Sequence, residues 1–429
     1  MNYGWLSGNL EGEISESERI IDELGFSGIT EPLANELLPN INTRYHSLKY
    51  YLIVCLGIKI VNDYIREKSG VEEEESAKRS EVSKSKYRKL FRVYIDYYEY
   101  WIACLHDRSK HFIGEEICVN MPPSKKPFGP RLLERNTGLI RKKGIFLTSG
   151  QSYAYDRYKT SLEFCNLILN NRLTIKGEDF VKYILESSRD SKFRWRDIYN
   201  TLKTLLDSKP EIRRQYSFTI SKPMRKKIKR ILIDLEYRPK DTKYNYIQEI
   251  YEQLKKRQYS PFEKGKFPKI RTHNKGANKI LRAMEFFYNI ANPINEIVNK
   301  LIEGKEDGNR IDNMGIEELL KPGAKWLKKL HYDRNSADII SCYDKNGAME
   351  FIEDIYSFRA DPYKVLNRMR ERIGDVKNIE LPFSFVRAGK EFSLNEEFEE
   401  KMRRSRKIDV NRFRLDILYD IMREIEAGI

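Results

Sequence analysis

Apolar residues recur three and four positions apart along most of this 429-residue chain, and the strict alternation of a half-buried strand is rare. Spacing of three and four lines one face of a helix, whereas alternation lines one face of a sheet. The chain is therefore expected to be mainly α: multi-helical, with two or three packed units and few short strands. Helices are expected over 152–170, 178–187, 195–206, 278–302, 316–330, 337–356, 362–373 and 410–426, with others opening at Thr30 and Thr43. From Tyr50 to Val61 the sequence is apolar on every side, which places that helix inside a core. It is interrupted by Lys59 and falls short of the roughly 20 apolar residues that span a membrane, so no membrane partner is expected.

Three consecutive segments are expected. Residues 1–118 form a helical domain with a charged loop at 69–85. Residues 119–220 form a central helical domain, in which 178–187 and 195–206 make a helix-turn-helix-like pair. Residues 221–429 form a basic, helical C-terminal domain. Apolar residues at 40% and 27 tyrosines supply enough material for cores, which excludes a globally disordered chain. The opening residues are acidic where a secretory signal needs a basic and then an apolar run. The five cysteines are scattered, and Cys55 and Cys165 sit among apolar neighbours as buried thiols. A reducing cytoplasm is the expected location.

The formal net charge is +15, and it is concentrated. Between Ser221 and Lys279 there are 18 Lys and Arg against six Asp and Glu, an excess of 12. Met224, Ile228, Ile231, Leu232 and Leu235 make one apolar helical stripe there, leaving Arg225, Lys226, Lys229 and Arg230 on the other sides. Tyr244, Tyr246, Tyr259, Phe262 and Phe267 then alternate with Lys and Arg. Phosphates need cationic donors and unpaired bases stack on aromatic faces, so this pattern suits DNA or RNA. The expected contacts are Arg225, Lys226, Lys229, Arg230, Lys255, Lys256, Arg257, Lys266 and Arg271 for phosphate, with Tyr244 and Tyr259 for bases. The plainer alternative is a solvated basic face over aromatic core residues; an acidic protein partner is a third.

Enzyme signatures are weak. The chain has no GxxxxGK[ST] phosphate loop and no GxGxxG after a strand. His273 and Lys275 open an HxKxxxxD pattern, but Ile280 stands where the Asp belongs. Asp234 and Glu236 suggest a metal-dependent nuclease strand, yet the helical period through Leu235 argues against a strand and Arg238 replaces the expected Lys. His106 and His111, near Asp107, Glu115 and Glu116, are five apart, which does not place two imidazoles on one helical face. No catalytic residue, metal or cofactor is expected.

The N-terminus carries an ordered set: Gly4-Trp5-Leu6, Asp22-Glu23-Leu24-Gly25, Ile29, Leu33, Ala34, Leu37-Leu38-Pro39, Asn42-Thr43-Arg44-Tyr45 and Tyr51-Leu52. It resembles the opening of an uncharacterised prokaryotic domain-of-unknown-function family found in phage-defence neighbourhoods beside helicases and nucleases. The resemblance covers about the first 60 residues. It implies an antiviral-defence context and a helicase or nuclease partner protein, with no assigned reaction. The expected function is thus a basic, DNA-binding or RNA-binding accessory component of a defence system. An adaptor for an enzyme partner and a cryptic metal-dependent nuclease are the alternatives.

Overall fold

The computed structural model describes residues 24–41, 47–69, 154–187, 195–207, 220–238, 242–256, 266–303, 311–377, 385–388, 391–394 and 414–427, with Phe218 and part of the stretch from Tyr87 to Leu105. Most of these residues are helical, as the 3.6-residue period requires. They form two compact units, one of residues 1–38 with 243–419 and one of 39–242 with 420–429. The three consecutive segments expected from composition are not how the chain divides. The apolar faces decide it: Phe26, at the start of α1 (Ser27–Leu37), packs edge-on to Phe287 at 5.7 Å and beside Phe351, hundreds of residues onward. The basic segment 221–279 is itself divided at Thr242/Lys243.

The unit of 39–242 with 420–429 is built on α2 (Lys49–Ser69). From Tyr50 to Val61 every residue is buried except Lys59, which is half-buried, so the all-round apolar run is the core helix it was expected to be. Each fully buried Leu or Ile there contributes about 1.5–3 kcal/mol. Tyr98 lies directly on Gly57, where a Cβ would come 2.4 Å from the ring, and its hydroxyl donates to the Ile53 carbonyl at 2.7 Å. A second helix, α3 (Ala154–Phe164), sets Tyr158 edge-on to Tyr51 at 4.7 Å.

The helix expected to run to Asn170 stops at Phe164. Asn170 and Asn171 have φ of 51° and 65° and form the two-residue turn of a hairpin, β1 (Ile168–Leu169) with β2 (Arg172–Leu173). Asparagine accepts the left-handed conformation that such turns demand, and a pair of them overrides the helical period. Thr174 then caps α4 (Ile175–Glu186), its hydroxyl accepting from the Gly177 N–H at 3.0 Å. Next comes α5 (Trp195–Asp207). These are the two members of the helix-turn-helix-like pair; the turn between them lies outside the described residues. Last in this part is α6 (Lys222–Leu232), which buries Met224, Ile228, Ile231 and Leu232.

In the other unit α7 (Tyr246–Lys255) precedes α8 (Lys275–Glu303), which runs antiparallel to α9 (Asn313–Tyr332). Phe286 of α8 meets Trp326 of α9 edge-on at 5.4 Å, and Arg282 pairs with Asp333 at the far end. Gly323 is what lets Tyr356 approach: a Cβ at Gly323 would fall 1.8 Å from the Tyr356 hydroxyl, which donates to the Ile290 carbonyl of α8 at 2.5 Å. One helix was expected over 337–356, but there are two, α10 (Arg334–Tyr343) and α11 (Ala348–Ser357). The break is made by Asp344, whose carboxylate accepts from the Ala348 and Met349 N–H groups, and by Gly347 at φ 64°. After α12 (Pro362–Lys377) come β4 (Phe385–Ala388) and β5 (Glu391–Leu394), which with β3 (Ile311–Asp312) make an antiparallel sheet in the order β3-β5-β4. The last helix, α13 (Leu415–Glu426), belongs to this unit through Tyr419 and to the other from Asp420. No helix among the described residues is long and apolar enough to cross a membrane.

Candidate nucleic-acid interface

The basic sequence produces two different surfaces, one in each unit. On α6 the cations alternate with the buried stripe, as expected, but carboxylates answer most of them. Arg225 is half-buried and electrostatically coupled to Glu424 of α13. Lys229 pairs with Glu426 at 3.9 Å. Arg230 reaches Glu236 at 3.3 Å, and Lys227 reaches the same carboxylate at 3.0 Å while its ammonium lies 4.7 Å from the Tyr237 ring centre. Burial would lower the Lys227 pKa, yet Tyr237 and Glu236 outweigh it and hold the ammonium above its ordinary range. Lys226 projects into solvent.

Glu424 shows how tightly this arrangement is built. Its carboxylate accepts from the Leu48 N–H at 2.9 Å and the Ser47 hydroxyl at 3.4 Å, at the N-terminal end of α2. Burial pushes its carboxyl upward, and the Leu48 N–H, Arg225 and Lys49 pull it back only in part.

Leu235 does not extend the α6 stripe. The helix ends at Leu232, and Leu235 takes a left-handed φ of 50°. That turn folds Glu236 back over the last helical cations. Asp234 and Glu236 are therefore neither on a strand nor, as the apolar period suggested, on a helix. Glu236 is an ion-pair partner in this geometry, and Asp234 is exposed. Among the described residues no group of three or more His, Cys, Asp and Glu is placed to hold a metal ion. His106, His111, Glu115 and Glu116 lie outside the described residues, as do Arg257, Tyr259 and Phe262.

The unit of 1–38 with 243–419 presents its cations differently. Lys255 and Lys256 are exposed where α7 ends. From Lys266 to Arg282 the chain carries six cations and no acid: Lys266, Lys269, Arg271, Lys275, Lys279 and Arg282. All six are exposed. The loop that holds the first three is fixed through its backbone: the Arg271 N–H donates to the Gln253 side chain at 3.1 Å, and the His273 N–H donates to Glu249 at 2.7 Å. His273 itself is 97% exposed on its side chain with Nδ1 3.2 Å from Glu249, a surface contact and no part of a catalytic pair. Asn274 caps α8, its side chain accepting from the Ala277 N–H at 2.9 Å. Lys275 and Lys279 then stand at the positive end of a 29-residue helix whose first turn contains no acid. Cations are electrostatically unfavourable at that end unless an anion is nearby.

Of the two aromatics expected to stack on bases, Tyr259 lies outside the described residues and Tyr244 is only partly exposed, and two of the aromatics interleaved with them are core. Tyr246 is 6% exposed and Phe267 8%, and Tyr244 is half-buried beside Tyr246. Their spacing between lysines reflects burial of one helix or loop face. The cations beyond residue 279 lie outside the dense segment and so outside the expected contacts. On α9, Lys321, Lys325 and Lys328 fall at i, i+4 and i+7 opposite the buried Ile316, Leu320, Gly323 and Leu330. Helical periodicity applied to the polar residues of that segment would have found them.

No protein-family model, curated protein or solved structure matches the chain.

Proposed function

We propose that the protein is a nucleic-acid-binding accessory component, acting through Lys255, Lys256, Lys266 and Arg271 with the cations that follow on α8. The observation that carries this reading is the acid-free run of six exposed cations from Lys266 to Arg282. Phosphodiester backbones need donors spaced along a surface, and exposed Lys and Arg supply them. Lys226 on α6 adds a further exposed cation, while Arg225, Lys229 and Arg230 already face Glu424, Glu426 and Glu236, as Arg282 faces Asp333. The N-terminal resemblance supports a role in prokaryotic antiviral defence, alongside a helicase or nuclease partner that supplies the chemistry.

The test is anisotropy of labelled DNA and RNA with the purified full chain over a salt series. Binding should weaken steeply with salt. Reversal at Lys266→Glu with Arg271→Glu should reduce the log–log slope by roughly 0.7–0.9 for each lost contact. An unchanged slope and affinity in the reversed protein would sink the reading and leave an adaptor with a solvated basic face.

A further inference from the structure

We infer that the exposed face shared by α8 and α9 is a track for single-stranded nucleic acid, with Tyr332 as the ring on which a base stacks. This deepens the nucleic-acid reading above and rests on it. Two rows of cations meet on this face. On α8, Lys275, Lys279 and Arg282 recur at i, i+4 and i+7, all exposed. On α9, Lys321, Lys325, Lys328 and Tyr332 recur at i, i+4, i+7 and i+11, all exposed, with Lys329 beside them.

The seam between the helices brings the Arg282 end of one row to the Tyr332 end of the other. Phe286 and Trp326 meet at 5.4 Å. The Arg282 guanidinium lies 5.6 Å from the Phe286 ring centre, and the Lys329 ammonium 4.7 Å from that of Trp326. Both cations therefore border one aromatic pair. Arg282 is also anchored to Asp333, the residue directly after Tyr332. A strand held by one row is within reach of the other.

Tyr332 distinguishes the kind of nucleic acid. It is 80% exposed, one of four large apolar side chains so placed among the described residues, and it ends a row of lysines. The packing of this unit does not use its ring. Duplex bases are already stacked on each other and offer their edges, whereas unpaired bases offer a π-face that an exposed ring can cover. Cations with an exposed aromatic at helical spacing thus favour a single strand. The 2′-hydroxyl does not enter this argument, so DNA and RNA are both accommodated.

The experiment compares Tyr332→Leu, Tyr332→Phe and the double reversal Lys325→Glu with Lys328→Glu in the full chain. The probes are labelled oligo(dT), oligo(U) and a DNA duplex of mixed sequence. Tyr332→Leu should weaken single-strand binding on the order of ten-fold and leave duplex binding unchanged, while Tyr332→Phe keeps parental affinity. The double reversal should lower the single-strand salt slope by about 1.4. A preference for oligo(dT) or oligo(U) identifies which strand is the ligand, and loss on Tyr332→Leu with either one supports the track. If the parent binds these probes and Tyr332→Leu binds oligo(dT) and oligo(U) as the parent does, the track is wrong and the nucleic-acid reading stands. If the parent binds none of the probes, both fail. Because Tyr332 is exposed, an unchanged circular dichroism spectrum is expected in each variant.

Discussion

The two basic helices of this protein look alike as sequences and differ as surfaces. In α6 the cations are met by Glu236, which returns through the Leu235 turn, and by Glu424 and Glu426 from the end of the chain. On α8 and α9 they are exposed, with Asp333 answering Arg282 and no acid between Lys266 and Arg282. Charge density along a sequence measures cations per residue. The field a ligand meets depends on which carboxylates the fold delivers to those cations, and here they come from residues 6 to about 200 positions away in sequence. The denser segment is therefore the less available one over its α6 part.

The largest effect is expected from breaking the scaffold under the exposed cations. Gly323→Ala would place a Cβ 1.8 Å from the Tyr356 hydroxyl, which is itself held by the Ile290 carbonyl. Either α9 shifts or Tyr356 leaves its hydrogen bond. Overpacking of this kind costs about 1–3 kcal/mol, measurable as a lower denaturant midpoint. Gly323→Ala should also weaken polyanion binding, since the two cation rows depend on how α8 and α9 meet. Unchanged stability would show that Tyr356 moves freely and that the glycine is not needed.

A smaller effect should come from removing the carboxylates that answer α6. Glu236→Gln with Glu426→Gln leaves Lys227, Lys229 and Arg230 without these ion-pair partners. Such partly exposed pairs contribute roughly 0.2–1 kcal/mol each, so stability should fall only slightly. Polyanion affinity should rise by a few-fold, because phosphate no longer competes with carboxylate. If affinity stays level, α6 is not part of the binding surface, and its lysines serve only to fasten the end of the chain.

Much of the architecture was legible because burial follows local rules. Helical periodicity located α2, α8 and α9, and the stripe of Met224, Ile228, Ile231 and Leu232 is buried as its spacing required. What escaped were places where a side chain overrides the period. Asn170 and Asn171 close a hairpin where the period predicts helix, Asp344 and Gly347 cut a second expected helix, and Leu235 turns left-handed where the spacing continues the stripe. The basic surface was legible in its charge and not in its pairing. That Lys229 meets Glu426 is a tertiary fact with no local signature, and Tyr332 carries no mark in sequence that separates it from Tyr246, which is buried.

The smallest expected effect is at Asp333, the carboxylate beside the exposed cations of α8 and α9. Burial disfavours its charge, but the Ser336 N–H and the Arg282 guanidinium outweigh that and hold its carboxyl below the ordinary range. A carboxyl lowered on folding adds stability that is fully present above its unfolded pKa and is lost as pH falls through the folded value. Asp333→Asn keeps an N-cap acceptor for α10 and removes the charge. Arg282 is 63% exposed on its side chain, so solvent screens the pair and the loss near neutral pH should be below about 1 kcal/mol. The variant and the parent should converge in stability as acid protonates Asp333. A gap that persisted at the acid end would mean that the amide, and not the missing charge, causes the loss. The same substitution removes the carboxylate beside Arg282, so single-strand affinity at low salt should rise slightly, and that rise should disappear as salt is added. A rise that survived high salt could not be electrostatic, and the difference between α6 and the α8–α9 face would then need a cause other than how far carboxylates answer the cations.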